Sequence, residues 1–214
     1  NQVEITENEI HAQAGALLSM IANRAMEAEL TGFEFAAGIP GTLGGACVMN
    51  AGAYGGEMKD VLETVTVLTR DGDVKTLTKD ELELGYRTSV IAKKDYIVLS
   101  AVIRLENGKK EEIKAVMDDL KEKRITKQPL EYPSAGSTFK RPEGYFAGKL
   151  IQDAGLRGFQ VGGAQVSEKH CGFVVNKDQA TAADVMNLMN QVSDKVYEMS
   201  GVRLEPEVKR LGVF

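Results

Sequence analysis

Thiols, imidazoles and long apolar runs are all scarce in this chain of 214 residues. The two cysteines, Cys47 and Cys171, form no CxxC, so spacing offers neither a disulfide framework nor a thiolate metal site. One disulfide is conceivable, but two buried free thiols in a reducing compartment are expected. With only two histidines, His11 and His170, and no cysteine cluster, no zinc site is expected. No apolar run approaches the roughly 18 residues that a membrane helix needs. The opening NQVEITENEI carries no signal-peptide pattern, and a cytoplasmic protein is expected. Net charge is −5 with acids and bases interspersed, which argues against broad nucleic-acid binding. No GxG triplet occurs, and neither Gly108-Lys109 nor Gly148-Lys149 precedes Ser or Thr. The Rossmann fingerprint and the Walker phosphate loop are therefore both excluded.

What is abundant is glycine, in one place. Seven glycines fall within GIPGTLGGACVMNAGAYGGE, residues 38–57. Such density serves a backbone that bends sharply or approaches a ligand closely, and successive N–H groups there make concave anion sites. A surface loop, or glycines packed between strands, would show the same composition. Ile39, Leu43, Val48 and Met49 threaded among the glycines point to a packed segment, and Asn50 adds side-chain donors and acceptors.

Hydrophobic content of 43% and charged content of 27% describe an ordinary globular chain, long enough for one large or two small domains. Leu17, Leu18, Ile21, Ala25 and Ala28 recur at helical spacing over 14–30. VLETVTVLT and DVKTLT read as strands joined by Asp71-Gly72, a hairpin signal, and YIVLSAVIRL reads as an interior strand. A helix over 111–125 shows Ile113, Val116, Met117 and Leu120 on one face. Residues 127–144 hold three of the five prolines and no period, so they are expected to cross between substructures. A short helix over 147–154, paired strands over 159–167 and 171–176, and a final helix follow. Thr181 and Asp184 cap that last helix, Val185, Leu188, Met189, Val192 and Val196 stripe it, and Gly201 ends it. The order predicts an α+β protein in two parts.

Side-chain chemistry alone leaves three candidates, each with an ordinary explanation. Arg87 in GYRTS suits bidentate pairing with a carboxylate or phosphate, or is a solvated arginine. Ser137 in SAGSTFKRP has small neighbours that expose its hydroxyl, as many turn serines do. Glu207 in RLEPEVKR is either a site acid or a solvated one. No Ser-His-Asp order, HExxH or carboxylate pair stands out.

Taken together and in order, GIPGTLGGACVMNAGAYGGE, GYRTS, QPLEYPSAGSTFKRP, GGAQVSEKHCGFVVN and LEPEV resemble the UDP-N-acetylenolpyruvoylglucosamine reductase family, from about Gly32 to Leu211. The direct run from Arg87 to Ser137 resembles the shorter of its two subtypes. The resemblance implies a vanillyl-alcohol-oxidase-like FAD-binding lobe over 1–126, a smaller α+β substrate domain over 127–206, and a C-terminal segment, 207–214, returning to the flavin lobe. It implies FAD held by Ile39, Gly41, Thr42, Gly45, Asn50 and Gly52, with NADPH as hydride donor. The implied substrate is a UDP-linked enolpyruvyl amino sugar, reduced to UDP-N-acetylmuramate for peptidoglycan synthesis. Ser137 matches the family's proton donor, Arg87 and Glu207 its enolate-stabilising pair, and Lys127 a diphosphate contact.

Departures accompany the match. Lys209 stands where the family usually has Arg, keeping charge but losing the bidentate fork. Arg141 stands where some members have Asn, as a further candidate substrate contact, and His170 is either a substrate contact or structural. Family members carry a further N-terminal FAD-binding lobe that has no counterpart before residue 1. The alternative expectation is therefore a non-catalytic UDP-sugar-binding fragment.

Overall fold

A computed structural model of the chain describes residues 1–212. It contains two compact units, Asn1–Arg124 and Ile125–Phe214.

The first unit opens with a hairpin, β1 (Val3–Thr6) and β2 (Glu9–Gln13), which periodicity did not single out. Helix α1 (Leu18–Glu27) buries Leu18, Ile21 and Ala25. It is shorter than predicted: Leu17 is exposed and pairs with Thr42, and Ala28 lies past the last turn. After β3 (Leu30–Thr31) and a single 3-10 turn, the glycine-rich segment contains a helix, α2 (Leu43–Met49). Next come β4 (Gly52–Ala53), β5 (Gly56–Glu57) and the one-turn α3 (Met58–Val61). Strands β6 (Leu62–Leu68) and β7 (Val74–Thr78) form the predicted hairpin. Thr69 N–H donates to Asp73 C=O at 2.8 Å, and Gly72 takes φ +90°. The unit continues with α4 (Val90–Lys93), β8 (Ile97–Arg104) and β9 (Glu106–Asn107).

The main sheet runs β1-β2-β8-β6-β7, antiparallel throughout, with β8 in the interior as its apolar run predicts. Register follows from burial on one face. Val3 faces Ala12, Ala12 faces Ala101 and Ala101 faces Val65, a buried row across four strands. Helix α2 packs across β8, and Leu18, Ile21, Leu43, Met58 and Ile103 are among the fully buried side chains. Each such side chain contributes about 1.5–3 kcal/mol relative to exposure.

Helix α5 (Lys110–Lys127) departs from expectation. Of its predicted stripe only Ile113 is buried; Met117 is partly covered by the first core, and Val116 is 47% exposed. The helix meets that core through its first turns, so an apolar spacing does not become a buried face.

In the second unit, β10 (Ser134–Ser137) lies inside the stretch that showed no period. Helix α6 (Ala147–Asp153), β11 (Gln160–Val161), β12 (Ala164–Val166) and β13 (Phe173–Asn176) follow, and the sheet order is β10-β13-β12-β11. Helix α7 (Ala182–Ser200) has the predicted reciprocal cap between Thr181 and Asp184 and ends at Gly201. Its buried residues Leu188, Met189, Val192 and Val196 join Ile151, Val166 and Leu204 in a second core.

Candidate functional site

The glycine-rich segment divides by what a side chain would meet at each position. A Cβ on Gly44 would lie 3.0 Å from Ala14 Cβ, one on Gly52 2.7 Å from Gly56 C=O, and one on Gly56 2.7 Å from the Phe35 ring. These three are packing glycines. At Gly41 and Gly45 no atom lies within 4 Å of the added Cβ. Gly41, at φ +152°, has a backbone conformation that side chains resist. Thr42 is the N-terminal flanking residue of α2, yet its hydroxyl caps no helix N–H. The segment is held from beneath, because Leu43 and Gly44 donate to Ala16 C=O and Ala14 C=O at 2.9 Å each. The result is a fixed backbone ledge at Gly41, Thr42 and Gly45 with open space above it. Such a ledge of neutral amides and missing side chains fits the close approach of a dinucleotide such as FAD.

Three of the residues expected to hold the cofactor have other surroundings. Ile39 packs partly against the first core. Gly52 is filled by its own hairpin partner, as above. Asn50 is fully buried in the left-handed conformation, φ +46° and ψ +60°. Its amide donates to Glu57 Oε2 at 2.6 Å and to Gly85 C=O at 3.1 Å, and its Oδ1 accepts Lys59 N–H at 2.8 Å. The Asn50 side chain thus bonds within the protein at both its donors and its oxygen.

Arg87 occupies the tip of a tight turn in the same unit. Gly85 and Thr88 exchange backbone hydrogen bonds at 3.1 and 3.3 Å, and Arg87 between them takes φ +54°. Its guanidinium carbon lies 5.2 Å from the centroid of the Tyr86 ring. Ser89, fully buried, donates to Val48 C=O at 2.6 Å while its hydroxyl accepts Ala92 N–H at 3.1 Å as the cap of α4. The sequence analysis overlooked Ser89; its one local signal is a small polar residue directly before the apolar start of a helix.

The second unit pairs the chain segments that hold two sequence candidates. Ser137, exposed at the end of β10, pairs with Phe173 of β13. The next residue, Thr138, is 3% exposed. Its Oγ1 accepts Val174 N–H at 2.8 Å, its N–H donates to Gly172 C=O at 2.9 Å, and its C=O accepts Glu207 N–H at 2.9 Å. Lys140 N–H donates to Glu205 C=O at 2.8 Å, and Phe139 bridges Pro206. The chain entering at 205 thus lies antiparallel beside the extension of β10, with the Glu207 backbone opposite Thr138, the residue after Ser137. Thr138 is a second residue that sequence reasoning missed.

Of the remaining candidates, Lys127 is the exposed last residue of α5. Arg141 stacks over Phe146 at 3.9 Å from the ring centroid, and its Nε donates to Tyr145 C=O at 3.3 Å. A cleft of about 360 Å³ in this unit is lined by Tyr132, Gln165, Ser167, Lys169 and Lys177 among others, and by none of Ser137, Glu207, Lys127 or Arg141. His170 has a structural place. Its Nδ1 accepts Gly172 N–H at 3.0 Å, and its ring meets Phe173 edge-on at 5.0 Å. Burial and, secondarily, Arg157 push its pKa below the ordinary value.

Cys47 and Cys171 are both free and buried. Burial pushes the Cys47 thiol up to about 12 and raises Cys171 as well, so neither is disposed to act as a nucleophile. Among the described residues, no group of three His, Cys, Asp or Glu side chains is placed to hold a metal, and no helix is long and apolar enough to cross a membrane.

Comparison with known proteins adds to this geometry. Residues 1–78 match the family model described as FAD binding domain. Residues 128–211 match that of the UDP-N-acetylenolpyruvoylglucosamine reductase C-terminal domain. The chain is 65% identical over 205 residues to the UDP-N-acetylenolpyruvoylglucosamine reductase of Agathobacter rectalis, covering 96% of this chain and 65% of that protein. It is 56% identical over 212 residues to the reductase of the same name from Clostridioides difficile, covering 99% of this chain and 70% of that one. The crystal structure of UDP-N-acetylenolpyruvylglucosamine reductase from Thermus caldophilus superposes with a TM-score of 0.80 at 39% identity, covering 92% of this chain and 71% of that one. The chain thus spans about two thirds of the length of these relatives.

Proposed function

The chain belongs to the UDP-N-acetylenolpyruvoylglucosamine reductase family, and we propose that it reduces the enolpyruvyl ether of UDP-N-acetylglucosamine to UDP-N-acetylmuramate, with FAD as cofactor and NADPH as hydride donor. The observation that carries this reading is the backbone pairing of the segment after Ser137 with the one that holds Glu207, whose N–H donates to Thr138 C=O at 2.9 Å. The open ledge at Gly41, Thr42 and Gly45 supports it in the first unit, which we read as a vanillyl-alcohol-oxidase-like flavin lobe. The flavin, when bound, supplies the relay that accepts hydride from NADPH and passes it to the substrate.

The reduction adds a hydride to the terminal alkene carbon and a proton to the carbon bearing the carboxylate, while NADPH leaves as NADP⁺. Between the two additions, negative charge spreads onto a carboxylate that already carries one. A fixed cation is worth most at such a moment. Arg87 is the cation assigned to that task, and Glu207 is the second member of the pair. Ser137 holds the proton for the carbon, and its exposure at the end of β10 leaves the residue open to an incoming substrate. Lys127 and Arg141 supply positive charge for the substrate diphosphate. The free buried thiols suit a reducing compartment, and we place the reaction in the cytoplasm.

Ser137→Ala in the flavin-loaded protein tests this function. Bleaching of the flavin by NADPH should persist, and calorimetric affinity for the UDP-linked enolpyruvyl sugar should be nearly unchanged. Substrate-dependent turnover should fall about 100- to 10,000-fold, the usual worth of a positioned acid. Turnover within a factor of two of the parent would remove Ser137 from the chemistry.

A further inference from the structure

Arg87 is bracketed by two buried polar side chains at equal sequence distance. Two residues before it, Gly85 C=O accepts the Asn50 amide at 3.1 Å; two residues after it, Ser89 donates to Val48 C=O at 2.6 Å. Asn50 and Ser89 are both fully buried. Both ties run into the glycine-rich segment: Val48 belongs to α2, and Asn50 is the residue that ends it. The Asn50 amide has little freedom of its own, because Glu57 holds one donor and Lys59 N–H holds its oxygen. The remaining donor is thereby directed at Gly85.

The need for such ties is local. Arg87 sits at φ +54°, a region that non-glycine residues enter only at a conformational cost. A two-residue turn with an arginine at that angle would relax if its flanks were released. A hydrogen bond from a buried side chain opposes that release more strongly than one from an exposed side chain, because the freed Asn50 or Ser89 donor would face no water.

We propose that Asn50 and Ser89 are positioning residues that fix the Arg87 turn to the glycine-rich segment, so that the arginine and the cofactor ledge keep one spacing. The inference rests on the role given to Arg87 above, and it changes the duty of Asn50 from holding a ligand to holding the turn. It also accounts for polar residues at two sites where the surrounding core is apolar.

Two variants separate the ties. Asn50→Gly removes the amide while tolerating the left-handed backbone, and Ser89→Ala removes the hydroxyl with the smallest change of shape. The first readout needs neither cofactor nor substrate: the rate at which trypsin cuts the Arg87–Thr88 bond in protein shown by circular dichroism to be folded. Loss of either tie should raise that rate about tenfold, the worth of an unmade buried hydrogen bond. The second readout is reoxidation of pre-reduced flavin by the UDP-linked enolpyruvyl sugar, compared with reoxidation by ferricyanide, which does not use Arg87. Both variants should slow the first and spare the second, in the direction of Arg87→Ala. Unchanged cleavage at Arg87 in folded Ser89→Ala protein overturns the proposal, as does normal sugar-dependent reoxidation in both variants beside a crippled Arg87→Ala. If Arg87→Ala itself reoxidises normally, the function given to Arg87 fails, and the cleavage rates still decide whether the ties hold the turn.

Discussion

Arg87 in the first unit and Ser137 in the second are presented in the same manner by different means. Each projects from a turn or strand end whose neighbours are buried polar residues bonded to backbone. Around Arg87 the ties are side chains reaching carbonyls, Asn50 to Gly85 and Ser89 to Val48. Beside Ser137 one residue does the work alone: Thr138 accepts Val174 N–H at its hydroxyl and Glu207 N–H at its carbonyl. In the first unit the anchors are distant in sequence, at 50 and 89; in the second the anchor is the adjacent residue. Placement of an exposed group thus depends on buried polar atoms that never need to touch a ligand.

Thr138→Val should break the second arrangement most sharply. The substitution keeps the shape of the side chain and leaves Val174 N–H buried without its acceptor, which costs about 1–3 kcal/mol. Hydrogen exchange should show the loss in the second unit, at Val174 and at Glu207, with the β2-β8-β6 sheet of the first unit unmoved. Equal destabilisation of both units would show that Thr138 supports the fold at large rather than the pairing of β10 with β13 and of Thr138 with Glu207.

The first unit offers a comparison between adjacent residues. Gly44 and Gly45 lie on one helix, yet a Cβ on Gly44 meets Ala14 and one on Gly45 meets nothing. Gly44→Ala should lower the thermal midpoint, with overpacking costing about 1–3 kcal/mol less the helix-propensity gain. Gly45→Ala should hold or raise the midpoint, by up to about 0.5–1 kcal/mol for glycine replaced within a helix. Flavin affinity should follow the opposite pattern, falling with Gly45→Ala because the new methyl group occupies the ledge. Full flavin binding by Gly45→Ala would move the cofactor site away from α2.

The sequence made the elements with a strong period legible. The β6-β7 hairpin follows from Asp71-Gly72, and α7 from its Thr181 cap and apolar stripe. Elements without a period were not legible: β1 and β2 are too short, and β10 is written SAGS, which has the composition of a turn. Its strand conformation comes from pairing with β13, a contact 36 residues away in Thr138 to Val174. Helix α5 shows the converse, since a correct apolar spacing at Val116 found no surface to cover it. At the site, Gly41, Ser137 and Glu207 entered as candidates through motifs. Composition did not separate Gly44 from Gly45, nor did it show the bonds of the Asn50 amide to Glu57 and Gly85, because an amide beside glycines reads alike whether it faces ligand or protein. Thr138 was invisible and Ser89 showed only as a possible helix cap, because their worth lies in burial, which only the fold confers.

The smallest expected effect concerns pH and belongs to the second unit. Burial and Arg157 lower the His170 pKa from 6.5, while its own backbone bond opposes them, so the fold favours the neutral ring. The unfolded chain takes up that proton first as pH falls. Stability from His170 is therefore complete above about 6.5 and is lost as pH falls through the lower folded value. The acceptor at Nδ1 is also lost on protonation, which frees Gly172 N–H beside the strand pair of Thr138. His170→Asn keeps an acceptor oxygen and removes the titration. Denaturant unfolding of the second unit between pH 7 and 5 should then weaken less in the variant than in the parent. Parallel pH profiles would mean that His170 packs without titrating, leaving Thr138 as the side-chain tie beside Ser137 and the contrast with the doubly tied Arg87 turn at its sharpest.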